Sequence, residues 1–162
     1  MTHVPENSAR RDRRNEPPLV VVAALIQSNE RILACQRRKD DAFGLKWEFP
    51  GGKVRPNESP AKALERELRE ELGIEAQIGE EVYRTRHRYA EMLREIELIF
   101  FRAIANSSAM QNLAFEEMRW VGPAELPSLD FLPADREFIA LLADGKLAIS
   151  STRRSRRPAR NV

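Results

Sequence analysis

Five glutamates stand close together near the middle of this chain, at positions 58, 65, 67, 70 and 71. Carboxylates crowded on one short helix repel each other unless a cation neutralises them. Glu67, Glu70 and Glu71 are spaced i, i+3 and i+4, which places them on one face of a helix. Carboxylate oxygens are the ligands that a hard divalent cation such as Mg²⁺ prefers. The spacing therefore predicts a divalent-cation site on this helix.

The helix that carries these glutamates has clear start and stop signals. Ser59 suits the N-cap, Pro60 the first helical position, and Gly73 the left-handed residue after the last turn. We therefore predict a helix over residues 59–72. The apolar stripe that can bury it against a sheet consists of Ala61, Leu64, Leu68 and Leu72. The glycine pair at 51–52 lets the preceding backbone turn or approach a ligand closely.

Segments typical of strands flank this helix on both sides. Before it we predict a strand buried on both faces at 19–27, a hairpin turn at 28–30, a strand at 31–38, a loop at 39–46 and an extended piece at 47–50. After it we predict an antiparallel pair at 80–90 and 94–104, a strand at 116–122, and a last helix over 133–142 whose inner face holds Phe138, Leu141 and Leu142. This order predicts a mixed α/β domain with a sheet between helices, and it lacks the glycine spacing of Rossmann and P-loop proteins.

Length and composition favour one domain of 162 residues with mixed charge and a formal net charge of +2. We expect a disordered arm at 1–17, the domain at 18–146, and a basic disordered tail at 147–162. The single cysteine, Cys35, excludes an internal disulfide and suits a reducing compartment. No apolar run approaches the roughly 20 residues that span a membrane, and the N-terminus lacks a signal-peptide pattern. We therefore expect a cytoplasmic protein without membrane partners.

The stretch from Gly52 to Ile74 resembles the signature of the Nudix hydrolases, G-x5-E-x7-R-E-U-x-E-E-x-G-U. The matching residues are Gly52, Glu58, Arg66, Glu67, Leu68, Glu70, Glu71, Gly73 and Ile74. An exposed helix laced with salt bridges would explain the charges, but not the glycine, Glu58 at its offset or the arginine before the first glutamate. The resemblance implies a Nudix-type α/β/α sandwich with a mixed β-sheet.

The same resemblance implies a set of site residues. Mg²⁺, or Mn²⁺ in its place, would be held by Glu67, Glu70, Glu71 and the main-chain carbonyl near Gly51. Glu67 is the first choice for the general base, and Glu70 belongs to the same catalytic group. Arg66 would orient a carboxylate through a charge-assisted hydrogen bond. The implied reaction class is hydrolysis of a nucleoside diphosphate linked to another group.

The flanking sequence KWEFPGGKV, at 46–54, resembles the MutT-like subgroup of nucleoside triphosphate pyrophosphohydrolases. By this resemblance Arg37 is a phosphate ligand, Glu48 and Phe49 belong to the substrate site, and Asp135 reads the base. A carboxylate can accept from guanine-type N–H groups, and it can also serve a cytosine-type edge. The alternatives are a solvated arginine at a strand end and an ordinary acidic residue at a helix N-terminus. Aromatic residues that could wall the base pocket are Phe43, Trp47, Phe49, Tyr89 and Phe131.

One segment departs from the pattern of the family. Relatives often carry a glutamate six residues before the tryptophan of the strand at 116–122, where this chain has Ala114 followed by Phe115. An additional metal ligand or alternative base is then missing, or Glu116 or Glu117 takes its place from a shifted loop.

These features lead to one functional expectation with two alternatives. We expect Mg²⁺-dependent hydrolysis of (deoxy)nucleoside triphosphates to monophosphate and pyrophosphate, acting on oxidised nucleotides such as 8-oxo-dGTP. A Nudix hydrolase of CTP, ADP-ribose or another nucleoside diphosphate derivative is the first alternative. The second is a non-catalytic nucleotide- or RNA-binding module, which the arginine-rich tail leaves open. That tail contains no aromatic residue for base stacking, so a disordered solubilising tail is favoured over nucleic-acid binding.

Overall fold

The computed structural model describes residues 16–90, 92 and 94–147; the rest of the expected arm and tail, at 1–15 and 148–162, lies outside the described residues. The strands are β1 Leu19–Ser28, β2 Arg31–Gln36, β3 Trp47–Glu48, β4 Gly51–Lys53, β5 Gln77–His87, β6 Ile96–Ile104 and β7 Glu117–Val121. The helices are α1 Pro60–Leu72 and α2 Arg136–Ala143, with short 3₁₀ turns at Ser107–Ala109, Pro123–Ser128 and Pro133–Asp135. None of the helices in these ranges is long and apolar enough to cross a membrane.

The strands form one mixed sheet with the order β3-β2-β1-β6-β5. β1 and β6 run parallel, whereas β5 pairs with β6 in the antiparallel sense. β7 pairs with β2, and β4 pairs with β1 at Val21–Ala23. β1 pairs with β2 at Gln27 and Ser28, at the opposite end of β1 from its pairing with β4. The sheet therefore opens between β2 and β4.

Two buried clusters cover the two faces of β1, and this explains its uninterrupted apolar sequence. Val22, Ala24 and Ile26 pack towards the cluster that contains the inner residues of α1. Ala23 and Leu25 pack towards the cluster that contains the inner residues of α2. The sheet thus lies between two helices, which confirms the predicted α/β class.

Helix α1 begins and ends where the sequence predicts. The Ser59 hydroxyl accepts a hydrogen bond from the Lys62 N–H at 3.3 Å, and Pro60 is the first helical residue. Gly73 has φ of 64° and donates its N–H to the Arg69 carbonyl at 3.0 Å. Leu64, Leu68 and Leu72 are buried as predicted, although Ala63 is buried in place of the half-buried Ala61.

Three predicted elements differ from the structure at their ends. Strand β2 stops at Gln36, because the Arg37 N–H and carbonyl bond to Lys46 and Leu45 in the loop that follows. Strand β5 covers 77–87 instead of 80–90, since Tyr89 turns away to bury its ring. The last helix begins as a 3₁₀ turn, and it buries Ile139 where Leu141 was predicted, which leaves Leu141 half-buried.

Candidate active site

The glycine turn brings the backbone against the carboxylates of α1. The Gly51 N–H donates to Oε2 of Glu71 at 2.9 Å. Gly51 has φ of 155°, and a Cβ atom there would collide with the Val22 carbonyl. A Cβ atom on Gly52 would collide with the carboxylate of Glu67. Both positions therefore need glycine, since the backbone lies too close to its neighbours for a side chain.

Arg66 fixes the carboxylates on either side of it. Its Nε and Nη2 donate to the two oxygens of Glu58 at 2.8 and 3.0 Å, and its Nη1 donates to Oε1 of Glu67 at 2.7 Å. Nη2 also donates to the Lys53 carbonyl at 3.0 Å, which ties the helix to β4. These bonds hold the pKa of Glu58 down at about 2, chiefly through the guanidinium of Arg66. The predicted orienting contact between Arg66 and a carboxylate is present in this geometry.

The three glutamates of the predicted metal set lie in different surroundings. Glu71 is mostly buried, and its burial, reinforced by the charges of Glu48 and Glu67, raises its pKa to about 9. Arg66 holds Glu67 at 2.7 Å and also reaches Glu70 at 3.5 Å, and the half-exposed Glu70 lies 3.6 Å from Arg55. Within the described residues no three acidic, histidine or cysteine side chains are arranged to hold a metal ion. The three carboxylates of α1 therefore have the right chemistry for a divalent cation, but in this conformation they do not converge on one point.

The donor chemistry fits a divalent cation in two respects. Carboxylate oxygens and a peptide carbonyl are hard ligands of the type that Mg²⁺ takes. The glycine turn also brings the backbone within hydrogen-bonding distance of Glu71 and keeps a side chain from filling the space beside Glu67. A cation there would offset the repulsion between neighbouring carboxylates.

A cavity of about 270 Å³ opens beside the glycine turn, where the sheet parts. Gly51, Gly52 and Lys53 line one part of it, and Asp135 lines another. Most of the remaining wall is apolar and comes from β1, β6 and the segments after β5 and before α2; it includes Val21, Phe43, Phe49, Tyr89, Met92, Ile96, Leu98 and Leu132. An apolar cavity with a few polar groups is the usual form of a small-molecule site.

Arg37 and Glu48 form a pair at the cavity wall. Nη1 of Arg37 donates to both oxygens of Glu48 at 3.1 and 2.9 Å, and its Nε donates to the Ala42 carbonyl at 2.7 Å. Burial raises the pKa of Glu48, and the nearby guanidinium opposes that rise. Arg37 is therefore bonded to its neighbours in the cavity wall, unlike a solvated arginine at a strand end.

Asp135 ends the 3₁₀ turn before α2, and its side chain does not cap that helix. The residue is 3% exposed and lines the cavity. Burial, followed by the negative charge of Glu48, raises the pKa of Asp135 well above its usual range. This position differs from that of an ordinary acidic residue at a helix N-terminus, which stays in solvent.

The aromatic residues proposed for the base pocket divide into two groups. Phe43 and Tyr89 line the cavity with ring centroids 4.9 Å apart, and Phe49 lines it as well. Trp47 and Phe131 are buried outside the cavity lining, so the expectation that they wall it was wrong. The apolar wall from β6 and residue 92 was not predicted, because only the fold brings those residues to the site.

The loop before β7 packs against α1 instead of offering a carboxylate. Phe115 is buried in the cluster that contains α1, and its backbone forms two hydrogen bonds with the Asn112 side chain. Glu117 is bound by Arg119 at 2.7 Å. Glu116 is exposed, and no hydrogen bond or ion pair of its carboxylate occurs among the described residues. Neither glutamate therefore joins α1 in this conformation.

The NUDIX domain family matches residues 16–142, a range that contains the glycine turn, α1 and the cavity. This chain belongs to the Nudix family. It is therefore a Nudix hydrolase of the type that acts on nucleotides as a pyrophosphohydrolase, and members of this family generally use divalent metal cations.

Relatives within the family are similar over most of their length. The chain is 41% identical over 128 residues to a CTP pyrophosphohydrolase of Escherichia coli K12. The alignment covers 76% of this chain and 93% of that protein. It is 32% identical over 131 residues to a Mycobacterium tuberculosis protein whose name, 8-oxo-dGTP diphosphatase 2, is given as provisional; 76% of this chain and 87% of that protein are covered. The solution structure of the E. coli ORF135 protein superposes with a TM-score of 0.68 at 34% identity, over 82% of this chain and 94% of that one.

Proposed function

We propose that this Nudix protein hydrolyses nucleoside triphosphates to the monophosphate and pyrophosphate with Mg²⁺ as its cation. The observation that carries the proposal is the shape of the site. Gly51 lines the cavity and binds the Glu71 carboxylate of α1 through its N–H, and the buried Asp135 lines the same cavity. Phosphates would bind at the glycine turn, and the base would lie against the apolar wall near Asp135.

The residues of α1 take distinct roles in this proposal. Glu67, Glu70, Glu71 and the carbonyl of Gly51 would hold the cation, which when bound neutralises charge on the phosphate oxygens. Glu67 is the proposed base for the attacking water, because Arg66 fixes its carboxylate at the edge of the glycine turn. Arg66 positions Glu67, and Glu70 serves the same catalytic group.

Arg37, Glu48 and Phe49 are the proposed contacts for the rest of the substrate. Arg37 lines the cavity, and phosphate oxygens match the planar fork of a guanidinium group. Glu48 holds that fork in place, so it orients Arg37. Phe49 packs against Phe100 and Phe138 and forms part of the apolar floor.

Two nucleotides are proposed as substrates. CTP is favoured by the 41% identical relative, which is named for that activity. An oxidised guanine nucleotide such as 8-oxo-dGTP is favoured by the MutT-like sequence WEFPGG at 47–52 and by the relative from M. tuberculosis. Removal of such nucleotides from the cytoplasmic pool would be the biological role.

The test is release of the nucleoside monophosphate from a panel of CTP, 8-oxo-dGTP, dGTP and ADP-ribose, with kcat/KM measured for each in Mg²⁺ and pyrophosphate measured as well for the three triphosphates. CTP or 8-oxo-dGTP should give the highest value, with equal amounts of monophosphate and pyrophosphate. A higher value for ADP-ribose would contradict the choice of substrate. Binding of nucleotides without any turnover would contradict the enzymatic proposal and support a binding module.

A further inference from the structure

Arg55 follows the glycine turn, and its backbone is fixed beside α1. Lys53, the last residue of β4, lines the cavity, and Arg55 lies two positions further along the chain. The Arg55 N–H donates to Oε2 of Glu58 at 3.0 Å, and its carbonyl accepts from the Glu58 N–H at 3.2 Å. Arg66 holds the same Glu58 carboxylate through two hydrogen bonds. The backbone of Arg55 is therefore held close to α1, two residues from the cavity lining.

The guanidinium of Arg55 is paired with a carboxylate of the proposed metal set. Its Nη2 lies 3.6 Å from Oε1 of Glu70, and the two side chains are 62% and 51% exposed. In the described part of the chain, that guanidinium has no other ion pair and no hydrogen bond. Arg66 also reaches Glu70 at 3.5 Å, but its other bonds are shorter, at 2.7 to 3.0 Å. Long, exposed ion pairs are weak, so the pair of Arg55 with Glu70 can open readily.

The cation proposed for α1 would use the same carboxylate as Arg55. A carboxylate that neutralises Mg²⁺ attracts a guanidinium less, so Arg55 would be left unpaired beside a site that receives three phosphates. Mg²⁺ holds its oxygen ligands at about 2 Å, and phosphate oxygens that share the cation with Glu70 must therefore lie close to that carboxylate. They would then lie within reach of Arg55, whose planar guanidinium can bind a phosphate through two parallel hydrogen bonds.

We propose that Arg55 exchanges partners: it pairs with Glu70 in the cation-free protein and binds the phosphates of the nucleotide once the cation occupies Glu70. This deepens the proposed function and rests on its assignment of Glu70 as a cation ligand. The phosphate contact is additional to that of Arg37, which is bonded to Glu48. Cation and phosphate are thereby coupled through one side chain, since the cation releases the guanidinium that the phosphate then uses.

The first measurement is the affinity of the nucleotide-free protein for Mn²⁺, by electron paramagnetic resonance. Arg55→Gln removes the competitor for Glu70, so its dissociation constant for Mn²⁺ should fall about two- to fivefold, the range expected for an exposed ion pair. Arg55→Lys keeps the charge and should bind Mn²⁺ nearly as the wild type does. Lys62→Gln is the matched control, because Lys62 pairs with Glu65 at 2.8 Å, on α1 but outside the proposed ligands. It should leave the affinity for Mn²⁺ unchanged.

The second measurement is the affinity for inorganic tripolyphosphate in saturating Mg²⁺, by calorimetry. Tripolyphosphate has the phosphate chain of the nucleotide and no base, so it reports on the phosphate contacts alone. Arg55→Gln should weaken its binding about tenfold, the usual effect of losing a hydrogen bond between charged groups. Arg55→Lys should restore most of the affinity, and Lys62→Gln should match the wild type. The two shifts of Arg55→Gln have opposite signs, whereas a purely structural defect would weaken the binding of both ligands.

Either of two results would overturn the exchange of partners. One is an affinity of Arg55→Gln for Mn²⁺ that equals or falls below that of the wild type, and the other is an unchanged affinity for tripolyphosphate. The variant should fold, since the bonds of Arg55 to Glu58 come from its backbone, and thermal melting checks this. Neither measurement needs turnover. Opposite shifts without hydrolysis of any nucleotide would refute the proposed function and support the exchange, whereas a wild type that binds no Mn²⁺ would refute both.

Discussion

Replacing Arg66 with methionine should damage both the activity and the stability of the protein. The change removes two hydrogen bonds to Glu58, one to Glu67 and one to the Lys53 carbonyl, with lengths of 2.7 to 3.0 Å, and a longer one of 3.5 Å to Glu70. Partners that orient metal-binding carboxylates usually contribute 10- to 100-fold to activity or metal affinity. We therefore expect kcat for CTP to fall by about 10- to 100-fold in saturating Mg²⁺.

The stability effect of the same change follows from the exposure of the pair. The side chains of Arg66 and Glu67 are only 15% and 16% exposed, so water replaces the lost bonds incompletely. We expect unfolding to become easier by about 1–2 kcal/mol, after allowance for partial solvation. For a chain of this size this corresponds to a fall in Tm of roughly 2–8 °C.

Arg69 on the same helix provides a matched control. It forms an equivalent two-bond pair with Glu75 at 2.6 and 2.9 Å, but the two side chains are 54% and 78% exposed. Exposed pairs contribute little, so Arg69→Met should leave kcat unchanged and Tm nearly so. Pyrophosphate release and thermal melting of both variants check the prediction. Equal effects of Arg66→Met and Arg69→Met would refute the role assigned to Arg66.

Four further substitutions test other parts of the structure. Gly52→Ala should lower both kcat and Tm, because the methyl group displaces the Glu67 carboxylate that Arg66 holds. Gly145→Ala should lower Tm and spare kcat, since that residue has φ of 67° and open space around it. Between about pH 4.5 and pH 2, Glu58→Gln should lose less Tm than the wild type. In the wild type the folded pKa of Glu58, about 2, lies below the unfolded value, so the stability that the ionised carboxylate contributes is lost as pH falls through that window. Asn112→Ala should lower Tm, because two bonds to the Phe115 backbone are lost.

Each of these has an outcome that contradicts it. Full activity of Gly52→Ala would show that the close contact with α1 does not matter for the reaction. If the Tm of Glu58→Gln fell on acidification as much as that of the wild type, the lowered pKa assigned to Glu58 would be contradicted. Asn106→Ala is the control for Asn112, because it also closes a short loop by accepting from Ser108 but lies in an exposed turn. Equal Tm values for the two variants would argue against a special role of the loop before β7.

Local signals explain why so much of α1 could be predicted from the sequence. A serine cap, a proline in the first turn and a left-handed glycine act within a few residues, and the structure has all three. The same is true of the hairpin between β1 and β2, where Asn29 and Glu30 both have positive φ. The family signature lies within the same stretch, so the residues proposed to carry the chemistry could also be named from the sequence.

Contacts between distant segments explain what the sequence did not reveal. The parallel pairing of β1 with β6 joins residues more than seventy positions apart, and it creates the cavity wall at Ile96 and Leu98. Trp47 was predicted to wall the base pocket, but its N–H donates to the Asp130 carbonyl and its carbonyl accepts from the Leu132 N–H, which holds it in the core. Tyr89 was predicted to lie in a strand. Its burial beside Phe43 depends on a loop elsewhere in the chain.

We propose that the carboxylates of α1 catalyse hydrolysis of a nucleoside triphosphate that is bound in the adjoining cavity. The most direct measurement is CMP and pyrophosphate release from CTP in Mg²⁺ by the wild type and by Glu67→Gln, Glu70→Gln and Glu71→Gln. We expect equal amounts of the two products from the wild type and a loss of at least about 100-fold in kcat for Glu67→Gln. Wild-type turnover by all three variants, or orthophosphate in place of pyrophosphate, would contradict it.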